Sequence, residues 1–179
     1  MHNKTISNLL ILTSGIVTAI SFFLPSVLDY GMHPLFWMQG DYLGIVLQFL
    51  LYQFLHGGIL HFVMNSFFLF IFGNQVEVLI GRQKYILFFL GNTLFVGIAL
   101  LLFASANTIG ISGFAMAILA YIALELKSRN NPEYRSAMIF LFINVVIGLT
   151  GNISLVGHLS GAIFGAVFFF FHHKKTQLY

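Results

Sequence analysis

The chain contains no cysteine, so a disulfide framework, a thiolate metal site and a cysteine nucleophile are all closed to it. Charge is nearly as scarce, with 8 Lys and Arg and 5 Asp and Glu in 179 residues. The basic residues are scattered among apolar runs and form no stripe, which argues against a nucleic-acid surface. With 7% charged residues, 59% hydrophobic residues and a mean hydropathy of +0.93, the composition is that of an integral membrane protein. Acids are missing from the middle of every apolar run. Asp29 and Asp41 fall in an early mixed stretch, Glu77 near the end of a run, and Glu125 and Glu133 around a polar loop. No His-Glu-x-x-His occurs. A carboxylate dyad and a zinc hydrolase centre are thereby disfavoured.

What is there is a succession of apolar runs, read as one domain over 1–179. The first, 6–24, is close to the ~20 residues that cross a bilayer core. It reads as a retained helix and not a cleaved signal, because no small-residue cleavage site follows it. Residues 25–42, with Trp37, have the mixed aromatic character of an interfacial segment. The apolar stretch 43–72 is too long for one untilted span, and Gly57-Gly58 divides it into an interfacial loop at 43–55 and a second span at 56–72. Spans at 85–103, 111–126, 137–149 and 154–171 complete six. Every Lys and Arg then falls on one side, and the positive-inside rule predicts that both termini are cytoplasmic. The turn at Glu77, Gly81 and Arg82 is expected to hold a local ion pair, and His172 and His173 to be interfacial.

On this topology the second, fourth and sixth spans all start at the outer face, so their first turns share one depth. Those turns carry His56, His61 and Asn65, then Ser112, then His158. Polar groups within a span are costly, and they face the bundle interior, which makes them functional candidates. His61 and Asn65, four apart, share a helix face, while His56 is expected to point elsewhere. Gly157, Gly161 and Gly165 recur every four residues on the sixth span, and Gly113, Ala117 and Ala120 offer small residues on the fourth. Close packing of these two helices would bring Ser112 and His158 within hydrogen-bond reach, the arrangement of a nucleophile and its general base. Asn65, His61 and the Ser112 main-chain N–H could supply donors to an oxyanion. With no acid nearby, a Ser-His dyad is expected. The bland reading of the same groups is polar helix packing. A histidine-only metal or haem site built from His56, His61 and His158 is disfavoured, because no two of them pair on one helix face. Neither metal nor cofactor is expected.

Three linked motifs, His56-x4-His61-x3-Asn65, Gly110-x-Ser112-Gly113 and His158-x-x-Gly161-x3-Gly165, resemble those of the rhomboid intramembrane serine proteases in their bacterial six-helix form. The resemblance covers nearly the whole chain. It implies an all-α membrane bundle of six transmembrane helices with an interfacial first loop that includes Trp37. It also implies a cap at 150–156, Ser112 as nucleophile, His158 as base, His61 and Asn65 as oxyanion donors, and a structural role for His56. The substrates implied are transmembrane segments of membrane proteins, cut near their outer end in a cavity reached from the lipid bilayer. Many members carry a tyrosine where this chain has Met116, so the ring that would pack on His158 is replaced by a thioether. No additional domain is expected before the first span, nor regulation by one. A bacterial inner membrane fits the compact form. Relatives that bind transmembrane clients without cutting them are the alternative, although these usually lack the serine or the histidine.

Overall fold

The computed structural model describes residues 5–150 and 154–176. Four helices in it are long and apolar enough to cross a membrane: α1 (Ile6–Phe23), the continuous helix Ile59–Ile80, α6 (Arg82–Phe103) and Leu155–His173 of α9 (Leu155–Thr176). The continuous helix comprises α4 (Ile59–Phe68) and α5 (Asn74–Ile80), joined by one wide π turn at Leu69–Gly73. Two shorter helices complete the bundle, α7 (Ser112–Ser128) and α8 (Tyr134–Ile147). Phe23, Phe70, Val78, Leu102 and Phe171 stand exposed around the outside, as lipid-facing side chains do in an integral membrane protein.

α7 is the axis of the fold. Every residue from Gly113 to Tyr121 is buried, which is what a helix apolar on all sides requires. Its small residues admit α9 at backbone distance. A Cβ at Gly161 would stand 2.8 Å from the carbonyl carbon of Gly113 and nearer still to its oxygen, and one at Gly165 would stand 2.6 Å from Ala117 Cα. Below this seam, Phe88 of α6 stacks on Phe168 at 4.4 Å and meets Phe114 edge-on at 5.3 Å. α8 has no buried residue and rests on the rim of the bundle.

The first loop carries two short helices. These are α2 (Leu35–Gln39) and α3 (Tyr42–Leu51), and the Asp41 carboxylate caps α3 by accepting from Gly44 N at 2.9 Å. At 10 residues α3 is too short to cross a bilayer. The insertion is bound to the protein by its polar side, with buried Gln48 Nε2 donating to Gly31 O at 2.6 Å.

The second span runs from 59 to 80 and not from 56 to 72, because polar residues at its C-terminal end find partners at the start of α1. Thr5 Oγ1 donates to Asn74 Oδ1 at 2.6 Å, and the Glu77 carboxylate accepts from the Ile6 and Ser7 main-chain N–H groups at 2.9 and 3.1 Å. Glu77 therefore caps the start of α1 from inside the bundle, and the ion pair expected with Arg82 is not formed. Gly81 alone makes the turn, at φ 83°. Lys84 Nζ donates to His172 Nε2 at 3.1 Å, and Tyr121 Oη lies 2.8 Å from His172 Nδ1, which ties His172 to the same end of the bundle.

Candidate active site

Ser112 opens α7, and the segment leading into it is fastened at several points. Met32 and Thr108 exchange main-chain hydrogen bonds at 2.8 and 3.0 Å, and Gly110 N donates to Tyr52 O at 2.8 Å. The Tyr52 hydroxyl in turn donates to Thr93 O at 2.8 Å. Gly110 adopts φ 112°, a region that disfavours any side chain, and a Cβ there would stand 2.8 Å from His61 Cε1 and 2.9 Å from Nε2. The first glycine of the Gly-x-Ser-Gly motif is therefore demanded twice, by its backbone angle and by the imidazole lying against it.

A cavity of about 860 Å³ is lined by His61 and Asn65 of α4, Ser112 and Met116 of α7, Phe140 and Asn144 of α8, and His158 of α9. Of the residues expected at one depth on three spans, His61, Asn65, Ser112 and His158 thus meet around one space, and His56 does not line it. Ser112 is half-buried, and as the first residue of α7 its main-chain N–H has no intrahelical acceptor. His158 is buried, and its Nδ1 lies 2.8 Å from the main-chain oxygen of Asn144. A carbonyl only accepts, so Nδ1 carries the proton, and in the neutral ring Nε2 keeps its lone pair. That Nε2 is buried and has no hydrogen-bond partner among the described residues, so the bond to Ser112 Oγ anticipated from helix packing is not made.

His61 has the complementary tautomer. Gly57 N donates to its Nδ1 at 3.4 Å, which leaves Nε2 as a donor beside Gly110. Asn65 is buried and uses one amide hydrogen on His61 O at 3.0 Å. His56 lies before α4 and not on it, and its ring folds back to meet His61 at 4.9 Å and Phe62 at 5.6 Å, both edge-on. The expectation that it points elsewhere is corrected. Its Nδ1 faces Phe54 O at 3.2 Å and Thr18 Oγ1 at 3.4 Å, so it braces His61 from behind. Met116 is buried on the cavity wall. Residues 151–153, within the cap expected at 150–156, lie outside the described residues.

Two contributors escaped the sequence. The Asn144 oxygen is main chain and has no residue signature. Gly148, where a Cβ would stand 2.6 Å from Leu155 Cα, lets α9 start against the end of α8, and only its glycine identity hinted at a close approach. Together the cavity gathers a hydroxyl, an imidazole lone pair and N–H donors, the set that acyl transfer to a serine uses.

The sequence model of the Rhomboid domain matches residues 44–175. The protein named Rhomboid protease GlpG of Yersinia pseudotuberculosis serotype I (strain IP32953) is 25% identical over 176 residues, covering 91% of this chain and 63% of that one. Its namesake in Yersinia pestis (strain Pestoides F) is 25% identical over 174 residues with the same coverage. That of Yersinia enterocolitica serotype O:8 is 27% identical over 132 residues, 70% of this chain and 48% of that one. The chain thus spans at most 63% of the length of these relatives. With the family model matching well over half of its residues, on a fold of apolar helices packed around α7, the chain belongs to the rhomboid family.

Proposed function

We propose that the chain is an intramembrane serine endopeptidase that cuts transmembrane segments of membrane proteins near their outer end by a Ser112-His158 dyad. The observation that carries this reading is His158, buried on the cavity wall it shares with Ser112, with Nδ1 committed to a carbonyl and Nε2 left without a partner. In the first step Ser112 Oγ attacks the scissile carbonyl and its proton passes to Nε2. The oxyanion that forms takes hydrogen bonds from the Ser112 main-chain N–H, His61 Nε2–H and the second amide hydrogen of Asn65. His158 then gives its proton to the leaving amine as the acyl-enzyme forms. Water enters, loses a proton to Nε2 and releases the second product, and Ser112 recovers its hydrogen. One donor lost from such a set typically costs ~10² to 10³ in turnover.

The described cations Arg82, Lys84, Lys127, Arg129 and Arg135 belong to the end of the bundle where α1 begins and α9 finishes, which supports a cytoplasmic location for both termini, in a bacterial inner membrane. A second reading, a protein that holds transmembrane clients without cutting them, has in its favour the unformed Ser112-His158 hydrogen bond. Reaction of the detergent-solubilised protein with a fluorophosphonate probe separates the two. The dyad predicts labelling that disappears in Ser112→Ala and in His158→Ala. A folded wild type that stays unlabelled while retaining bound transmembrane peptides supports client binding.

A further inference from the structure

His158 has no carboxylate beside Nδ1, yet its ring is held, and what holds it is the end of a helix. In an undisturbed α-helix Asn144 O would accept from Gly148 N–H. Here α8 tightens at its end, Gly148 N–H turns to Val145 O and Val146 O, and a 3₁₀ turn follows at Gly148–Thr150. Asn144 O is thereby released as one of the orphan carbonyls of a helix C-terminus, where the negative pole of the helix dipole lies. Gly148 makes the encounter with α9 possible, since a Cβ there would stand 2.6 Å from Leu155 Cα and 2.8 Å from Leu155 N. The Asn144 side chain takes no part and donates to Phe140 O at 2.8 Å.

We propose that the C-terminal end of α8, acting through the main-chain oxygen of Asn144, is the positioning group for His158 in place of an acid. It fixes the proton on Nδ1 and aims Nε2. When the Ser112 proton arrives at Nε2, Nδ1–H stays in place and the ring's new positive charge faces the negative end of α8. A buried carboxylate does the same for the histidine of a three-residue catalytic set. This inference rests on the dyad proposed above.

The test alters the oxygen and spares the side chains. In the full-length protein, Val145 is exchanged for its α-hydroxy analogue, which turns the Asn144 carbonyl into an ester carbonyl, a weaker acceptor. The same exchange at Ile143 is the control, because it too removes one main-chain N–H from α8. Fluorophosphonate labelling at Ser112 is expected to slow by about tenfold with the Val145 exchange relative to the control, as weakening a hydrogen bond to a charged ring would give. The ¹⁵N signals of His158, identified by their loss in His158→Ala, are expected to leave the Nδ1–H tautomer for a mixture of both. Equal labelling by the two exchanges, or an unmoved His158 spectrum, in a wild type that labels would overturn this inference alone. A folded wild type that fails to label would overturn the dyad reading and this inference with it.

Discussion

Replacing Gly161 by alanine puts a methyl group into the seam between α7 and α9, one helical turn from His158. The added Cβ would stand 2.8 Å from the Gly113 carbonyl carbon and 3.1 Å from its Cα, and these are backbone atoms that cannot swing aside. Carbon atoms settle at about 3.5–4.0 Å, so α9 must move out by roughly 1 Å. Gly113 is the residue after Ser112, so this displacement falls directly on the spacing between the hydroxyl and the imidazole. A 1 Å misplacement of reacting groups costs about 10² in rate, while overpacking costs about 1–3 kcal/mol in stability. Gly157→Ala provides the comparison on the same helix. Its Cβ meets Ser154 Oγ at 3.3 Å and Leu100 Cδ2 at 3.7 Å, side-chain atoms at or near ordinary contact. Fluorophosphonate labelling, measured at a temperature where thermal unfolding shows each variant folded, should fall about a hundredfold for Gly161→Ala and by less than about threefold for Gly157→Ala. Equal rates in the two variants would refute the argument that backbone contact at Gly113 sets the site.

Gly110→Ala should cost both backbone strain, about 1–2 kcal/mol, and the seat of His61, lowering substrate cleavage at least about tenfold as read with a fluorogenic transmembrane peptide. Glu77→Ala should remove two charged hydrogen bonds from the start of α1 and lower stability by about 2–4 kcal/mol in a denaturation assay. Because Glu77 lies 16 residues beyond His61, roughly 24 Å along the helix, the labelling rate of the folded fraction should not change.

The apolar runs of the sequence located the spans to within a few residues wherever a helix is apolar over most of its length, as for α1 and the C-terminal end of α6. They failed where a polar residue is satisfied by a distant partner. Asn74 and Glu77 looked like the way out of the membrane, and only the presence of Thr5, Ile6 and Ser7 beside them shows why the helix continues. That Ser112, His158, His61 and Asn65 share one cavity was legible because polar side chains at one depth stand out within apolar runs. His56 misled for the opposite reason. Its position was judged by helical periodicity, and it is not in a helix. Asn144 was illegible because its contribution is an oxygen that every residue has.

α8 has 14 residues, about 21 Å of helix, beside a hydrocarbon layer that is ordinarily about 30 Å thick. A helix shorter than the bilayer is met by thinning of the lipid around it or by flanking side chains that reach for the interface, and Phe140 and Asn144 place this short helix at the wall of the cavity. If the chain cuts transmembrane segments as proposed, a client helix arriving where the lipid is thinned is longer than the membrane around it, so the turn at its end is pushed toward water, where main-chain hydrogen bonds can open. Membrane thickness would then be a quantity the protein sets locally, in favour of an unwound chain where the reaction proposed at Ser112 needs one.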